Sequence, residues 1–172
     1  MRRRHAMGIA LATATLFAGT GATYATGSHA LYPVDRTAAV SSTQMPSAGQ
    51  IAALFDQWNA ALATGDPNRV ADLYAPDAVL LPTVSAEIRT TRAGIVDYFQ
   101  HFLVNKPVGK IQERFINIPD PTTAIDTGLY QFTLTQKDGS KTEVDARYTF
   151  VYELRGGKWL IINHHSSAVP TG

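Results

Sequence analysis

Residues 158–167 read KWLIINHHSS, and this stretch decides the fold that we expect for the chain. It follows the turn pair Gly156-Gly157, runs apolar for four residues and becomes polar from Asn163 onwards. Runs of β-branched and aromatic residues that begin after glycines are typical of β-strands. An apolar strand with one polar end fits the floor and mouth of a small cavity. We therefore expect the last element of the domain to be a strand that carries the polar side of a pocket.

Similar stretches lie upstream of this strand. They alternate or run apolar, are rich in Ile, Val, Thr, Tyr and Phe, and cover Lys110–Ile118, Ala124–Thr135 and Glu143–Leu154. Asp138-Gly139 between the last two is a hairpin turn signal, as is the Gly pair before residue 158. These stretches predict consecutive antiparallel strands in the C-terminal half.

The N-terminal half of the domain has helical signals. Ser47 and Gln50 fit a capping box, and apolar residues then repeat at helical spacing until Gly65. Asp66 before a proline predicts the start of a second helix, and Thr91 predicts the cap of a third. A short apolar strand is expected at 78–82. Helices followed by strands predict an α+β fold, with the helices packed on one face of a curved antiparallel sheet.

The uncovered face of such a sheet would expose an apolar patch, because the strands are apolar on much of both faces. Large exposed patches of this kind mark association surfaces. We therefore expect a homodimer through the sheet, with twofold symmetry.

The first residues have the features of a targeting peptide. Three arginines precede an apolar stretch at 6–18, which is shorter than the roughly 20 residues that span a bilayer. Small residues then offer cleavage after Ala25 or Ala30, so residues 1–30 are predicted to be a signal peptide and 31–46 a disordered leader to a domain at 47–170. The protein is expected to be secreted or periplasmic, without a stable membrane span after processing. The 172 residues include no cysteine, so no lipoprotein anchor is expected.

The composition argues against several classes of function. A net charge of +1 and 17% charged residues leave no basic footprint for nucleic acid. The spacing of His, Asp and Glu matches no metal site, and phosphate-binding and dinucleotide-binding motifs are missing from the sequence. We therefore expect no nucleic-acid partner, no metal and no cofactor.

Candidate catalytic residues are His164, His165 and Arg147. Adjacent residues on a strand point to opposite faces, so only one of the two histidines can face the pocket, where it could act as a general acid or base. A two-residue turn at 156–157 would place Arg147 on the face of His164, whereas a turn that includes Lys158 would place it on the face of His165. Arg147 would orient a ligand oxygen or pair with a neighbouring carboxylate such as Glu113.

Other residues are candidates for the walls of the pocket. They lie on the apolar faces of helices or on the last two strands, and they are Trp58, Tyr74, Phe99, Tyr148, Phe150, Asn163 and Ser166. The alternative for the aromatic ones is a plain place in the core. Tyr and Trp also carry a polar group that can reach a ligand.

Two segments resemble a known family. The first segment is a helix that ends in a Gly-Asp turn, followed by Leu73–Val79. The second segment is made of the closing residues Gly157–Trp159 and His164–Pro170. The resemblance is to the nuclear-transport-factor-2-like superfamily. The closing segment is most similar to the association (hub) domain of calcium/calmodulin-dependent protein kinase II and its bacterial relatives. The resemblance covers residues 47–170. It implies a cone-shaped, cystatin-like roll, a dimer through the sheet or a larger ring, and a deep pocket between helices and sheet.

The sequence departs from the kinase hub in that pocket. Arginines that receive small carboxylates in the hub correspond here to Thr133, Phe150 and Ser166, so this chemistry is not expected to carry over. The leading hypothesis is an exported domain that self-associates and binds an unknown small molecule. The alternative is a cofactor-independent enzyme, an isomerase, dehydratase or polyketide-cyclase-like protein, that uses a pocket histidine and Arg147.

Overall fold

The computed structural model describes residues 44–83 and 85–170. The predicted signal peptide and most of the predicted leader lie outside these residues. The described elements, in chain order, are the helices α1 (Ala48–Ala63) and α2 (Pro67–Ala71), strand β1 (Tyr74–Leu81), helix α3 (Arg92–Phe102), a 3₁₀ turn (Leu103–Asn105), and strands β2 (Val108–Asp120), β3 (Thr123–Thr135), β4 (Lys141–Arg155) and β5 (Lys158–Ala168). None of the helices in this part of the chain is long and apolar enough to cross a membrane.

The sheet confirms the predicted α+β class. Its strand order is β1-β5-β4-β3-β2, and β2 to β5 pair antiparallel with their neighbours in sequence. The prediction of a wholly antiparallel sheet needs one correction, because β1 pairs parallel with β5 and makes the sheet mixed. This edge strand also begins at Tyr74, four residues earlier than the sequence pattern predicted. The early start adds the pair of Tyr74 with Ile161, while Leu80 and Leu81, within the predicted range, pair with His164 and His165.

The predicted caps fix where each helix begins. The amide of Gln50 donates to Oγ of Ser47 at 3.2 Å, and the amide of Ser47 donates to Oε1 of Gln50 at 2.8 Å, which completes the capping box of α1. The side chains of Asp66 and Thr91 accept from the first turns of α2 and α3. These bonds satisfy amides that a helix N-terminus otherwise leaves unpaired.

An aromatic core fills the space between the helices and one face of the sheet. Trp58 of α1 lies with its ring centre 6.2 Å from Phe99 of α3 and 5.4 Å from Phe150 of β4. Phe55, one turn before Trp58, packs against Tyr130 and Phe150 in the same way. All five side chains are almost completely buried. The helices are therefore held to the sheet by the same aromatic side chains that surround the candidate site.

Gly128 of β3 lies where β2 departs from regular pairing. The register of β2 shifts between Ile111 and Glu113, and Gly128 then pairs with Arg114. A Cβ atom at Gly128 would lie 2.0 Å from the carbonyl oxygen of Glu113, far inside van der Waals contact. The close approach of the two backbones therefore requires a glycine at this position.

We expect Gly128→Ala to lower the free energy of unfolding by about 2 kcal/mol, because the added methyl group forces β2 and β3 apart. Gly49→Ala in the first turn of α1 is the control, since the nearest atom to its Cβ is 3.9 Å away. Urea denaturation of both variants measures the difference. Equal stability of the two variants would show that the strands adjust at no cost.

Candidate functional site

A β-bulge decides which residues of β4 and β5 share a face. Gly156-Gly157 form a two-residue turn, with Arg155 paired to Lys158. Between the pairs Tyr152–Ile161 and Val151–Asn163, however, Ile162 has no partner. The extra residue moves every later pair by one position. A two-residue turn was predicted to put Arg147 on the face of His164, and the bulge makes this prediction wrong.

After the bulge, His164 pairs with Phe150 and His165 pairs with Thr149. Arg147 pairs with Ser167 and therefore shares the face of His165. His164 is buried, whereas His165 and Arg147 are exposed. The two histidines thus lie on opposite sides of the sheet, as adjacent residues of a strand should.

A narrow cavity of about 30 Å³ lies between α1, α3 and the inner face of the sheet. A volume of this size holds a water molecule or the head group of a ligand. Its walls are mostly aromatic and aliphatic, with polar groups at one side. The lining residues are Trp58, Leu80, Pro82, Thr83, Tyr98, Phe99, Phe102, Tyr130, Phe132, Leu134, Val144, Ala146, His164 and Ser166.

His164 is a buried polar side chain of this cavity, with 4% of its surface exposed. Its ring stacks on Phe150, with ring centres 4.0 Å apart, and lies edge-on to Trp58 at 5.4 Å. Nδ1 lies 2.8 Å from the hydroxyl of Tyr74, which also accepts a hydrogen bond from Nε1 of Trp58 at 3.1 Å. Burial, with a smaller effect of His165, lowers the pKa of His164 to about 3. His164 is therefore neutral near pH 7.

Ser166 supplies a second polar group to the cavity. The hydroxyl of Tyr130 donates to Oγ of Ser166 at 2.5 Å, and the hydroxyl of Thr83 contacts the same atom. Burial raises the pKa of Tyr130 above its ordinary value, so that its hydroxyl keeps its proton. These three hydroxyls form a neutral polar cluster two residues along β5 from His164.

The structure brings together only some of the predicted site residues. Four of them line the cavity: Trp58, Phe99, His164 and Ser166. Two others do not line the cavity but contact the ring of His164, Tyr74 by a hydrogen bond and Phe150 by stacking. The ring of Tyr148 is buried beside Phe55 and Tyr130 and does not line the cavity, although the residue also borders the groove on the opposite face that is described below. The bulge leaves Asn163, His165 and Arg147 out of the cavity lining.

Sequence reasoning missed several lining residues. Tyr98 and Phe102 lie one turn apart on α3, and Tyr130, Phe132 and Leu134 alternate along β3. Helical spacing and strand alternation could have identified both sets. Thr133, which the resemblance placed in the pocket, lies on the other face of β3, because it alternates with Phe132.

A buried ion pair occupies another part of the inner face. Asp126 is completely buried, and its Oδ1 lies 3.2 Å from Nε of Arg114 and accepts a hydrogen bond from the hydroxyl of Tyr148 at 2.9 Å. Burial raises the pKa of Asp126, and Tyr148 and Arg114 offset part of that rise. An aspartate at an apolar-patterned strand position was the sequence signal for this pair, because a buried charge needs a partner.

The opposite face of the sheet carries a wide, open groove of about 560 Å³. Phe115 of β2 exposes 57% of its surface there. The groove mixes charged, hydroxyl and apolar side chains from four strands, and its lining residues are Glu113, Phe115, Thr127, Gly128, Leu129, Arg147, Tyr148, Thr149, His165 and Ser167. We call this surface the outer groove.

The chemistry of the two surfaces differs. The cavity lining contains hydroxyls and a neutral imidazole but neither a carboxylate nor a cationic side chain among the described residues. The outer groove contains both charges, on Glu113 and Arg147. In the described part of the chain, no group of His, Asp and Glu side chains is arranged to hold a metal ion.

Comparison with known proteins connects this fold and cavity to a family. The profile of the calcium/calmodulin dependent protein kinase II association domain matches residues 47–170, which include all the elements described above. The chain belongs to the calcium/calmodulin-dependent protein kinase II association-domain family. The family assignment predicted from residues 73–79, 157–159 and 164–170 is thereby confirmed.

Solved structures agree with this assignment. A protein from Xanthomonas campestris described as an association domain of this kind is 61% identical, with a TM-score of 0.72; the match covers 74% of this chain and 93% of that one. The association domain of the Caenorhabditis elegans kinase is 10% identical, with a TM-score of 0.58, and the match covers 70% of this chain and 94% of that one.

The wider fold family is also represented. A protein from Streptomyces avermitilis that is described as a dehydratase of the NTF2-like family is 13% identical, with a TM-score of 0.63, and the match covers 72% of this chain and 97% of that one. At this identity the likeness concerns the fold alone. Curated proteins offer no match to the chain.

Proposed function

We propose that the protein is an exported self-association domain whose copies pair through the outer groove, and whose inner cavity binds a small molecule. The observation that carries the first part is the outer groove itself. The helices cover the other face of the sheet, while Phe115 and the charged side chains of Glu113 and Arg147 lie open on this one. Membership of an association-domain family supports the same conclusion.

Twofold pairing of this surface suits its composition. In a symmetric dimer each copy presents the same patch, so a patch must be complementary to itself. The outer groove carries Glu113 on one strand and Arg147 on another, which lets the carboxylate of one copy approach the guanidinium of its partner. Phe115 supplies an exposed aromatic side chain, a residue type that is enriched in interfaces.

We expect Phe115→Glu to convert the dimer to a folded monomer, because it buries a charge within the pairing surface. Ile88→Glu is the matched control, since Ile88 is 55% exposed but lies in the loop between β1 and α3, away from the outer groove. Native mass spectrometry counts the subunits, and circular dichroism shows that both variants remain folded. A monomeric wild type, or a Phe115→Glu variant that still dimerises, would contradict the proposal.

The inner cavity supports the small-molecule part of the proposal. An enclosed apolar space with a few convergent polar groups is the usual form of a ligand site. Here Trp58, Phe99 and Tyr98 supply the apolar walls, and His164 and Ser166 supply the polar groups. Native mass spectrometry of the protein from its own compartment would also report a retained small molecule. Protein that is always empty and shows no thermal shift across a broad ligand panel would refute this part.

The geometry favours binding over the alternative of a cofactor-independent enzyme. That mechanism placed a histidine and Arg147 in one pocket. His165 and Arg147 do share the outer groove, but this groove is wide and open, whereas the enclosed cavity contains His164 and lacks Arg147. With a pKa of about 3, His164 is a poor base near neutral pH.

Export is inferred from residues 1–30 alone, and the N-terminal mass of the protein recovered from its compartment would test it.

A further inference from the structure

The donor and the acceptor can be assigned in each hydrogen bond of the Tyr74 hydroxyl. An indole nitrogen can only donate, so Nε1 of Trp58 donates to the hydroxyl oxygen of Tyr74. The remaining contact of that hydroxyl is Nδ1 of His164, at 2.8 Å. If Tyr74 donates its proton to Nδ1, both contacts are satisfied. If Nδ1 carried the proton instead, the hydroxyl proton of buried Tyr74 would have no acceptor among these contacts.

This direction fixes the tautomer of His164. A neutral imidazole carries one proton, so an accepting Nδ1 places the proton on Nε2. Nε2 is buried and has no hydrogen-bond partner among the described residues. A buried donor without a partner costs about 1–3 kcal/mol. The Trp58–Tyr74–His164 chain therefore ends in an unused N–H group on a ring that lines the cavity.

We propose that the cavity selects ligands with an uncharged oxygen acceptor, such as a ketone, ester or ether, and that Nε2–H of His164 is the donor that recognises this oxygen. The proposal rests on the small-molecule part of the proposed function and specifies its chemistry. Tyr74 is the positioning residue, because it holds the proton of His164 on Nε2.

The rest of the cavity favours an uncharged ligand with an apolar body. A carboxylate would lose its hydration without meeting a cationic side chain, since none lines the cavity among the described residues. The inner space of about 30 Å³ accommodates a head group. Phe102, Leu134 and Val144 line the same cavity and are partly exposed, so they offer an apolar surface for the body of the ligand.

Three molecules of nearly equal shape test the selection. Acetophenone carries an uncharged acceptor, benzoate a charged one, and α-methylstyrene none. We expect acetophenone to bind the dimeric protein about tenfold more tightly than either of the others, by ligand-observed NMR titration. Independently, nitrogen-15 NMR of the histidine side chains should show that His164 in the ligand-free protein carries its proton on Nε2, and this signal should shift with acetophenone.

Two variants separate positioning from packing. Tyr74→Phe removes the donor to Nδ1 and should reduce the preference for acetophenone over α-methylstyrene to less than threefold. Tyr152→Phe is the control: it removes a buried tyrosine hydroxyl that does not line the cavity, and it should keep the tenfold preference.

A proton on Nδ1 in the wild type would overturn the proposal whatever the ligands do. So would equal binding of the three molecules, or no binding of any of them. Equal binding would still leave the cavity as a small-molecule site, so the proposed function would survive that result. The proposed function has its own tests: a negative broad ligand panel refutes its small-molecule part, and a monomeric wild type refutes its self-association part.

Discussion

Replacing Arg114 with methionine is expected to lower the free energy of unfolding at pH 7 by about 3 kcal/mol. The carboxylate of Asp126 is completely buried, and Arg114 is the cation beside it, with Nε 3.2 Å from Oδ1. Removing one partner of a buried pair leaves a charge without compensation, which typically costs about 3–5 kcal/mol. We expect the low end of this range because the side chain of Arg114 is 22% exposed. Methionine keeps most of the packing volume over Phe55, which the guanidinium covers at 5.6 Å.

A second substitution separates charge from packing. In the double variant Arg114→Met/Asp126→Asn no buried charge remains, so about half of the lost stability should return, while Tyr148 can still donate to the amide oxygen. Arg69→Met is the control, since the Arg69 side chain is 70% exposed and its 3.9 Å ion pair with Asp66 should contribute little. Urea denaturation followed by circular dichroism measures all three. A single variant as stable as the wild type would show that the carboxyl of Asp126 is protonated at pH 7.

Local signals in the sequence were sufficient for the helices and for the antiparallel pairing of β2 to β5. The caps at Ser47, Asp66 and Thr91 are properties of a few neighbouring residues, and each predicted cap bond is present. The glycine turns at 139 and 156 likewise fix which strands are neighbours. Alternation of apolar residues then identified β2 to β5 to within a few residues at each end.

The composition of the cavity could not be predicted with the same success, because it depends on register. One unpaired residue, Ile162, reverses which side chains of β4 accompany His164. A bulge in an apolar run such as Leu160–Ile162 has no local signature, since every residue in the run suits either face. The parallel partner β1 is a long-range feature too, because it joins segments about 85 residues apart.

The ion pair of Arg114 and Asp126 shows the same limit. Each residue could be recognised as unusual from its apolar surroundings. Their proximity depends on the shift in β2 between Ile111 and Glu113, which sets Arg114 opposite Gly128, two residues from Asp126. Pairing across a bulge is a property of the assembled sheet, so the sequence alone does not predict the ion pair.

His164 is expected to make the protein sensitive to mild acid. Its pKa is about 3 in the folded protein, against an ordinary value of 6.5. Between these values the unfolded chain binds a proton that the folded chain does not, so stability is complete above about pH 6.5 and falls as the pH approaches 3. The maximum slope is about 1.4 kcal/mol per pH unit. The free energy of unfolding should therefore fall by about 2.5 kcal/mol between pH 6.5 and pH 4.5.

The variant His164→Asn isolates this effect. Asparagine does not titrate, and its side-chain oxygen can accept the bond from Tyr74 that Nδ1 accepts in the wild type. Asp126 changes the pH dependence of stability in the opposite direction, because its raised pKa favours proton uptake by the folded state. Both proteins contain Asp126, so its effect cancels in the comparison. Urea denaturation at pH 4.5, 5.5, 6.5 and 7.5 should give a steeper loss for the wild type than for the variant. Parallel pH profiles would mean that His164 takes up a proton in the folded protein, and its Nε2–H could then not be the neutral donor of the cavity.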